Sequence, residues 1–344
     1  MGTSTNRRSE KADCDMSTDK VLEVRDLSVD LFTKNGALRP VDRVSYSVRR
    51  GETLAIVGES GSGKTVMNFA PLDLMPVGLA VQISGSFNIA GTNIAALPPS
   101  SLRHVRGKSV GVIFQDPMSA LNPVRRVGRQ IAEVAQKQLG LTTRQAEKRA
   151  EELLSLVGMS DPVQRMRQYP HELSGGLRQR VMIAIAVASE PPLLIADEPT
   201  TALDVTIQAQ ILKLLQSLQK RLNMGIVLIT HDMGVVAAIA HQVAVMYAGR
   251  IVEYGPVADV LVSPSHPYTC GLVDAIPREE DPSGSPFRGI AGLPPIMGAP
   301  LEACAFAERC AFTQPVCLNG RPQLHSIPQS SVSMACTVKY EQLR

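Results

Sequence analysis

The pattern of apolar and polar positions predicts strands that alternate with helices. Residues 27–31 (LSVDL) alternate apolar and polar side chains inside a strand predicted over residues 21–33, with Ser28 and Asp30 on its polar face. A second alternating strand is predicted at 44–48. Four short, unbroken apolar runs predict strands buried on both faces: 53–57, 193–196, 225–230 and 243–246.

Apolar residues spaced three and four positions apart predict helices between these strands. The predicted helices cover residues 144–157, a segment from about Gly175 to Ala188 that Pro191 terminates, and residues 207–222. Such alternation is typical of an α/β sheet whose functional residues follow the carboxyl ends of the strands. Beyond about residue 264, Pro and Gly become frequent and the periodicity fades. We therefore expect a small, irregular C-terminal extension there.

Composition narrows the class of protein. The 344 residues suffice for one large domain or two modest ones, and the net charge of +3 is too small and too scattered to indicate nucleic-acid binding. The longest unbroken apolar run has eight residues, 181–188, whereas a membrane-spanning helix needs about twenty. Residues 1–20 are polar, without the apolar centre of a signal peptide. We expect them to form a disordered tail on a cytosolic protein.

The stretch GESGSGKT directly follows the apolar run 53–57 and matches the phosphate-binding loop pattern in full. Its glycines let backbone N–H groups converge on phosphate oxygens, Lys64 can reach the β- and γ-phosphates, and the Thr65 hydroxyl can bind Mg²⁺. The alternative, a plain glycine-rich turn, fits the preceding strand less well. The predicted nucleotide-binding loop consists of Gly58, Glu59, Ser60, Gly61, Ser62, Gly63, Lys64 and Thr65.

Two adjacent carboxylates, Asp197 and Glu198, close the predicted strand at 193–196. Asp197 is placed to hold the Mg²⁺ coordination shell, and Glu198 can orient or deprotonate an attacking water. Acidic residues at a sheet edge can also simply cap helices. The phosphate loop in the same chain favours the catalytic interpretation.

A further segment, LSGGLRQR at residues 173–180, exposes backbone N–H groups at a predicted helix start, with Ser174 as the N-cap. It resembles the signature motif of ABC-transporter ATPases. The other motifs of that family occur in order: a Walker A loop (GESGSGKT), a Q-loop containing Gln115, a Walker B strand (LLIADE), a D-loop (TALD) ending at Asp204, and the switch histidine His231. The joint match covers residues 21 to about 260.

This resemblance implies a P-loop NTPase fold and an ATPase that uses ATP and Mg²⁺. It also implies a head-to-tail dimer in which Ser174, Gly175 and Gly176 of one subunit bind the nucleotide of the other. Gln115 would contact the Mg²⁺ region and relay its state to the membrane subunit, and His231 would contact the γ-phosphate. Taken alone, a histidine such as His231 is more often an ordinary strand-end residue with a hydrogen-bond partner.

The resemblance divides the chain into the tail, an ABC ATPase domain at 21–262 with a helical subdomain at about 116–180, and a C-terminal region at 263–344.

The aromatic residue Phe32 lies on the polar face of its predicted strand, the same face as Ser28 and Asp30. There it can stack on adenine, as an aromatic residue of the family does, or pack conventionally. Both interpretations stay open from the sequence.

Two classes of ABC ATPase remain possible: an importer subunit, or a soluble ATPase that acts on nucleic acid or ribosomes. The chain has one signature motif, no heptads and no basic run, which favours the importer. Residues 114–133, residues 246–277 and the cysteine-bearing end resemble the ATPase subunits of bacterial dipeptide and oligopeptide importers. That resemblance implies two transmembrane permease subunits, a second, related ATPase subunit, an extracytoplasmic substrate-binding protein and a peripheral location on the cytoplasmic face of the inner membrane.

The resemblance leaves the transported cargo open, because relatives with the same ATPase motifs also import nickel or glutathione.

Four cysteines cluster near the C-terminus with the spacing C-x5-C-x6-C-x18-C: Cys304, Cys310, Cys317 and Cys336. Disulfides are disfavoured in a reducing cytosol, and zinc knuckles normally contain a tighter pair. An iron–sulfur cluster requires four thiolates and tolerates wider spacing, and related importer ATPases carry such a cluster at matching cysteines. We expect a [4Fe-4S] cluster that fixes the fold of the extension without a part in hydrolysis. Zinc or metal-free cysteines are the alternatives.

Overall fold

We describe residues 19–34, 36–276, 289–295 and 302–338 of a computed structural model of the chain. Most of the predicted disordered tail, residues 1–18, lies outside these ranges. The described residues form two sheets with helices packed around them. The strands are β1 (Lys20–Thr33), β2 (Gly36–Arg49), β3 (Thr53–Val57), β4 (Ala80–Ile89), β5 (Thr92–Asn93), β6 (Val110–Ile113), β7 (Leu193–Asp197), β8 (Gly225–Ile229), β9 (Gln242–Tyr247), β10 (Arg250–Pro256), β11 (His325–Ser326) and β12 (Ser333–Met334).

The helices follow a βα alternation through the middle of the chain. They are α1 (Lys64–Phe69), α2 (Pro99–Lys108), α3 (Pro117–Ala120), α4 (Val127–Leu139), α5 (Thr143–Leu156), α6 (Pro162–Arg167), α7 (Gly175–Ala186), α8 (Val205–Leu222), α9 (Met233–Ile239), α10 (Val257–Val262) and α11 (Pro267–Asp274). Within the described ranges, none of the helices combines the length and the apolar character needed to cross a bilayer.

The larger sheet has the order β11-β12-β10-β9-β3-β8-β7-β6, and the five strands from β9 to β6 are parallel to one another. Strands β3, β7 and β8 are buried along their whole length, which explains their unbroken apolar sequences. The carboxyl ends of parallel strands meet at one sheet edge. The phosphate loop follows β3 there, Glu198 follows β7, and Gln115 and His231 come two residues after β6 and β8.

The α/β architecture predicted from the sequence is confirmed, and the three predicted helices correspond to α5, α7 and α8. One expectation about strand β1 is wrong: Ser28 is buried, although the alternation placed it on the polar face. The pairing of β1 with β2 shifts register on both sides of Leu27, so the two-residue period is interrupted there. The Ser28 hydroxyl accepts a hydrogen bond from the Arg43 backbone N–H at 2.9 Å, which satisfies it inside the protein.

The C-terminal extension starts at Ser263 and includes α11. After α11 it contains little regular structure: its described segments there form two strands of two residues each and two short 3₁₀ turns. Strand β12 pairs with β10, so this extension continues the larger sheet. Phe306, Val332 and Met334 are buried against Tyr247 and Tyr268, which joins the extension to the sheet through one apolar cluster.

Candidate functional site

The phosphate loop has a backbone that only glycine can adopt at two positions. Gly58 and Gly63 have φ of +151° and +99°. A Cβ atom at Gly58 would lie 2.1 Å from the Met246 carbonyl oxygen, and one at Gly63 would lie 2.1 Å from the Pro40 carbonyl oxygen. The loop therefore lies directly against the neighbouring backbone. Helix α1 begins at Lys64, within the last residues of the loop, so the helix N-terminus points its free N–H groups toward the phosphate-binding backbone.

Lys64 lies buried beneath the loop. Its ammonium donates hydrogen bonds to the carbonyl oxygens of Gly58 at 2.8 Å and Glu59 at 2.9 Å. Burial lowers the pKa of Lys64, while the carboxylates of Glu198, Asp197 and Glu59 act against that shift. A cation held among loop carbonyls at a helix N-terminus is suited to binding the terminal phosphates of a nucleotide.

Thr65 and Asp197 bring together the two side chains predicted to bind Mg²⁺. The Thr65 hydroxyl donates a hydrogen bond to Asp197 Oδ2 at 2.9 Å, across 132 residues of sequence. Asp197 is 5% exposed, and burial raises its pKa to about 6. A hydroxyl and a carboxylate are hard oxygen ligands of the kind that Mg²⁺ prefers.

Glu198 lies at the centre of a small hydrogen-bonded group. Its carboxylate accepts hydrogen bonds from Gln115 Nε2 at 2.7 Å and from the Thr201 hydroxyl at 2.9 Å, and it lies 3.0 Å from His231 Nδ1. Glu198 also has a positive φ of 44°, which is rare for a residue with a side chain and is associated with functional sites. The ends of three different strands thus converge on one carboxylate.

The charge state of Glu198 suits a general base. Burial acts to raise its pKa, but hydrogen bonds from His231 and Thr201 outweigh burial, and the pKa lies below its usual value. Glu198 is therefore ionised at neutral pH and can accept a proton. His231 is 61% exposed at its side chain, so one face of this group opens to solvent and to a ligand.

The remaining predicted nucleotide ligands are accessible but lie apart from this group. Ser174 is the N-cap of α7, yet its side chain makes no capping hydrogen bond, and both Ser174 and Gly175 are exposed. Asp204 is the N-cap of α8, and its carboxylate accepts a hydrogen bond from the Ile207 N–H at 2.9 Å. Phe32 is 46% exposed at the end of β1. In the described part of the chain, neither Phe32 nor Ser174 is hydrogen-bonded to the Glu198 group.

The four clustered cysteines come together in space. Cys304, Cys310, Cys317 and Cys336 line one small cavity, together with Phe306 and Thr313 among others. Burial raises the pKa of the Cys304 and Cys310 thiols and raises that of Cys336 to about 11. Within the described ranges, no group of three or more His, Cys, Asp or Glu side chains is arranged to hold a single metal ion. The donor set fits an iron–sulfur cluster in its chemistry, since it offers four thiols on one cavity.

Two residues of the extension contact the phosphate loop, and no sequence motif predicts either contact. Arg309 forms a two-pronged ion pair with Glu59, and the Tyr268 hydroxyl accepts a hydrogen bond from the Glu59 N–H. The partners are 250 and 209 residues apart along the chain, and no spacing rule connects residues over such lengths. Only pairwise covariation among homologous sequences would carry a signal for these contacts.

Comparison with known proteins places these features in a family. Residues 41–201 match the family of ABC transporters, and residues 252–317 match the oligopeptide/dipeptide transporter C-terminal region. The chain is 46% identical over 308 residues to the oligopeptide transport ATP-binding protein OppD of Bacillus subtilis, covering 90% of this chain and 86% of that protein. It is 45% identical over 299 residues to the dipeptide transport ATP-binding protein DppD of the same organism, covering 87% and 89%.

Solved structures agree with the family on the fold. The ATP-binding cassette MJ0796, in a dimeric post-hydrolysis state with ADP and Pi, superposes with a TM-score of 0.61 at 25% identity, over 69% of this chain and 98% of that one. The protein cbiO1 of Clostridium perfringens superposes with a TM-score of 0.59 at 28% identity, over 71% and 92%. The family match, the relatives and the solved structures agree on an ABC-type ATPase. The chain belongs to the ATP-hydrolysing subunits of ABC transporters, in the group of oligopeptide and dipeptide transport ATP-binding proteins.

Proposed function

We propose that this chain powers peptide import by hydrolysing MgATP with Glu198 as the general base. The hydrogen-bonded group around Glu198 is the observation that carries the proposal. Its carboxylate is ionised, contacts both Gln115 and His231, and follows Asp197 at the edge of the sheet. An ionised carboxylate at that place can take the proton of a water that attacks the γ-phosphate, releasing ADP and phosphate.

Each loop residue then has a separate task. Backbone N–H groups of residues 58–65 bind the phosphates, and the Lys64 ammonium moves from the loop carbonyls to the β- and γ-oxygens. Thr65 and Asp197 hold Mg²⁺, with Gln115 at its edge. His231 binds the γ-phosphate on the open side of the group and keeps Glu198 oriented.

The signature residues act on a second subunit in this proposal. Ser174, Gly175 and Gly176 lie at the N-terminus of α7, where free N–H groups and the Ser174 hydroxyl, which does not cap the helix, can bind the nucleotide of a partner. Asp204 orders the segment between the two sites by capping α8. Phe32, which is half exposed at the end of β1, stacks on adenine.

The proposed assembly has two transmembrane permease subunits, this chain, a second and related ATPase, and an extracytoplasmic substrate-binding protein. The chain would be a peripheral protein on the cytoplasmic face of the inner membrane. Within it, residues 21–262 form the ATPase domain, residues 116–180 its helical subdomain, and residues 263–344 the C-terminal region. Support for the assembly comes from the relatives named as transport ATP-binding proteins.

Peptides are the proposed cargo because the two relatives described above are named for oligopeptide and dipeptide transport. The test uses the purified native complex with its binding protein in lipid vesicles. Phosphate release should rise when binding protein loaded with a di- or oligopeptide is added. Stimulation by nickel or glutathione, with none by peptides, would overturn the cargo and leave the ATPase assignment standing.

We further propose that Cys304, Cys310, Cys317 and Cys336 hold a [4Fe-4S] cluster. Support comes from the cavity that all four thiols line and from the need of such a cluster for four thiolates. The bound cluster would cross-link three loops that otherwise share little regular structure, and so stabilise the extension.

Anaerobic purification tests the cluster. We expect a brown protein with absorption near 400 nm and about four irons per chain, since a four-cysteine cluster requires them. Cys310→Ser should abolish the colour, whereas Cys270→Ser, which alters a cysteine outside the cavity, should keep it. Colourless wild-type protein, with stoichiometric zinc or with no metal, would contradict the proposal.

A further inference from the structure

The C-terminal extension is bound to the phosphate loop by a partly buried ion pair. The Arg309 guanidinium donates to both carboxylate oxygens of Glu59, at 2.7 and 2.9 Å, in the two-pronged geometry that is strongest for this pair. Arg309 is 6% exposed at its side chain and Glu59 25%. A partly buried ion pair is screened less by salt than an exposed one.

Every donor of Arg309 has a partner in the described structure. Nε donates to the Ala291 carbonyl oxygen at 2.8 Å, and Nη1 lies 3.3 Å from the Tyr247 hydroxyl. The guanidinium also lies over the rings of Tyr247 and Phe306, at 5.8 and 5.9 Å from their centroids. The arginine is therefore held in one orientation, with its two terminal nitrogens directed at Glu59.

The backbone of Arg309 belongs to the cysteine-bearing segment. It ends the 3₁₀ turn Ala307–Arg309, which lies between Cys304 and Cys310. The Cys304 N–H donates to the Cys317 carbonyl oxygen at 2.9 Å, and the Ala307 N–H donates to the Cys304 carbonyl oxygen at 3.1 Å. The position of the guanidinium thus depends directly on the fold around the four thiols.

Glu59 stands where a negative charge opposes phosphate binding. It is the second residue of the loop whose backbone binds phosphates, and its carboxylate acts electrostatically on Lys64. Its N–H is also fixed by the extension, because it donates to the Tyr268 hydroxyl at 2.8 Å. Without a cation beside it, the Glu59 carboxylate would repel the phosphates of ATP.

We propose that Arg309 is a positioning residue for ATP: it neutralises Glu59 and holds the second residue of the phosphate loop in place. The affinity for ATP therefore depends on a side chain that the cysteine-bearing extension supplies. The inference rests on the ATP site proposed above. It gives the extension a role at the nucleotide, whereas the sequence had suggested a role in folding alone.

The test measures KM for ATP and kcat of phosphate release in the assembled complex. Arg309→Met should raise KM about tenfold, as one uncompensated charge near the phosphates would, and change kcat less than twofold. The double variant Glu59→Gln/Arg309→Met removes both charges and should return KM to within about twofold of wild type. Arg309→Lys, which keeps the charge but loses the two-pronged geometry, should fall between them.

A matched control separates this role from general loosening of the extension. Arg321 anchors the same extension through Asp42 and lies outside the phosphate loop, so Arg321→Met should leave KM unchanged. If Arg309 only stabilised the fold, the double variant would be as impaired as Arg309→Met, and that result would overturn the inference. A wild-type KM in Arg309→Met would overturn it as well. Lys64→Ala abolishes ATP binding if the ATP site is right, so failure of the site and failure of the inference give different results.

Discussion

The nucleotide site and the C-terminal extension are built in opposite ways. In the nucleotide site, backbone geometry places each functional side chain: the loop follows β3, Glu198 follows β7, and Gln115 and His231 follow β6 and β8. In the extension, by contrast, side-chain contacts hold the backbone in position. Arg309 and Tyr268 of the extension bind Glu59 of the phosphate loop, and the buried Glu253 of β10 holds the start of α11 through the Ser265 N–H.

This difference explains what each region contributes. The backbone at a sheet edge holds several catalytic groups at the distances and angles that the reaction needs, so no further side chain is required to position them. An irregular segment held by side-chain contacts can instead transmit its own state, because its contacts form or break together. We infer that the sheet carries the chemistry and that the extension adjusts the affinity of the loop.

The largest effect in the nucleotide site should come from Lys64→Ala. Removing the buried ammonium takes away the only side-chain cation predicted to reach the β- and γ-phosphates, so ATP affinity should fall by at least about 100-fold. Equilibrium binding of MgATP to the purified chain measures it. Lys213→Ala, an exposed lysine on α8, is the matched control and should bind like wild type. Unchanged MgATP binding in Lys64→Ala would contradict the assignment of this loop as the phosphate-binding site.

Glu198→Gln should break the chemistry and leave binding intact. The amide still accepts the hydrogen bond from Gln115 or Thr201 but cannot take a proton, so kcat should drop about 10²- to 10⁴-fold. Phosphate release by the complex and MgATP binding by the chain are measured side by side. Glu190→Gln makes the same change at an exposed ion pair with Arg149 and should keep the wild-type rate. A rate near wild type in Glu198→Gln would mean that another group is the base.

The contrast between backbone placement in the nucleotide site and side-chain contacts in the extension also explains which features could be predicted from the sequence. The strand ends and the loop could be predicted because contiguous apolar runs and local motifs encode them, down to the boundaries of β3. The burial of Ser28 could not, since a register shift between two strands is not visible in one of them. The pairing of Arg309 with Glu59 could not either, because side chains 250 residues apart meet only once the whole fold has formed.

The strongest test of the extension is Glu253→Ala. Glu253 is fully buried, and its carboxylate accepts hydrogen bonds from the N–H groups of Ser265 at 2.7 Å and His266 at 2.9 Å. Truncation leaves two buried donors without a partner, which costs about 2 to 5 kcal/mol. Limited proteolysis should then cleave the part after residue 262 faster, while Glu253→Gln, which keeps one acceptor oxygen, should lose less. Equal protease resistance in wild type and Glu253→Ala would show that this contact does not hold the extension.

A smaller effect on the extension should appear with pH. His266 is buried, and burial lowers its pKa to about 4, whereas the unfolded chain binds a proton near pH 6.5. The unfolded state therefore binds more protons between these values. The contribution of neutral His266 to the free energy of unfolding is complete above pH 6.5 and decreases as the pH falls toward 4, by about 1.4 kcal/mol per pH unit at most.

The variant His266→Asn isolates this dependence. Asn does not titrate and can still accept the N-cap hydrogen bond that His266 receives from the Tyr268 N–H. Thermal unfolding at pH 7.0 and pH 5.5 should show a larger loss of stability in wild type than in the variant. Neighbouring Glu253, whose pKa is raised by burial, is present in both proteins and cancels in the comparison. Parallel losses would exclude His266 as the source.

The most direct test of the central claim is peptide uptake by vesicles that contain the whole complex. ATP is enclosed on the side of this chain, and labelled peptide with its binding protein is added on the other side. We expect wild-type vesicles to accumulate peptide and vesicles with Glu198→Gln to accumulate almost none. Equal accumulation in the two preparations, or accumulation by wild-type vesicles without enclosed ATP, would contradict the claim that hydrolysis at Glu198 drives import.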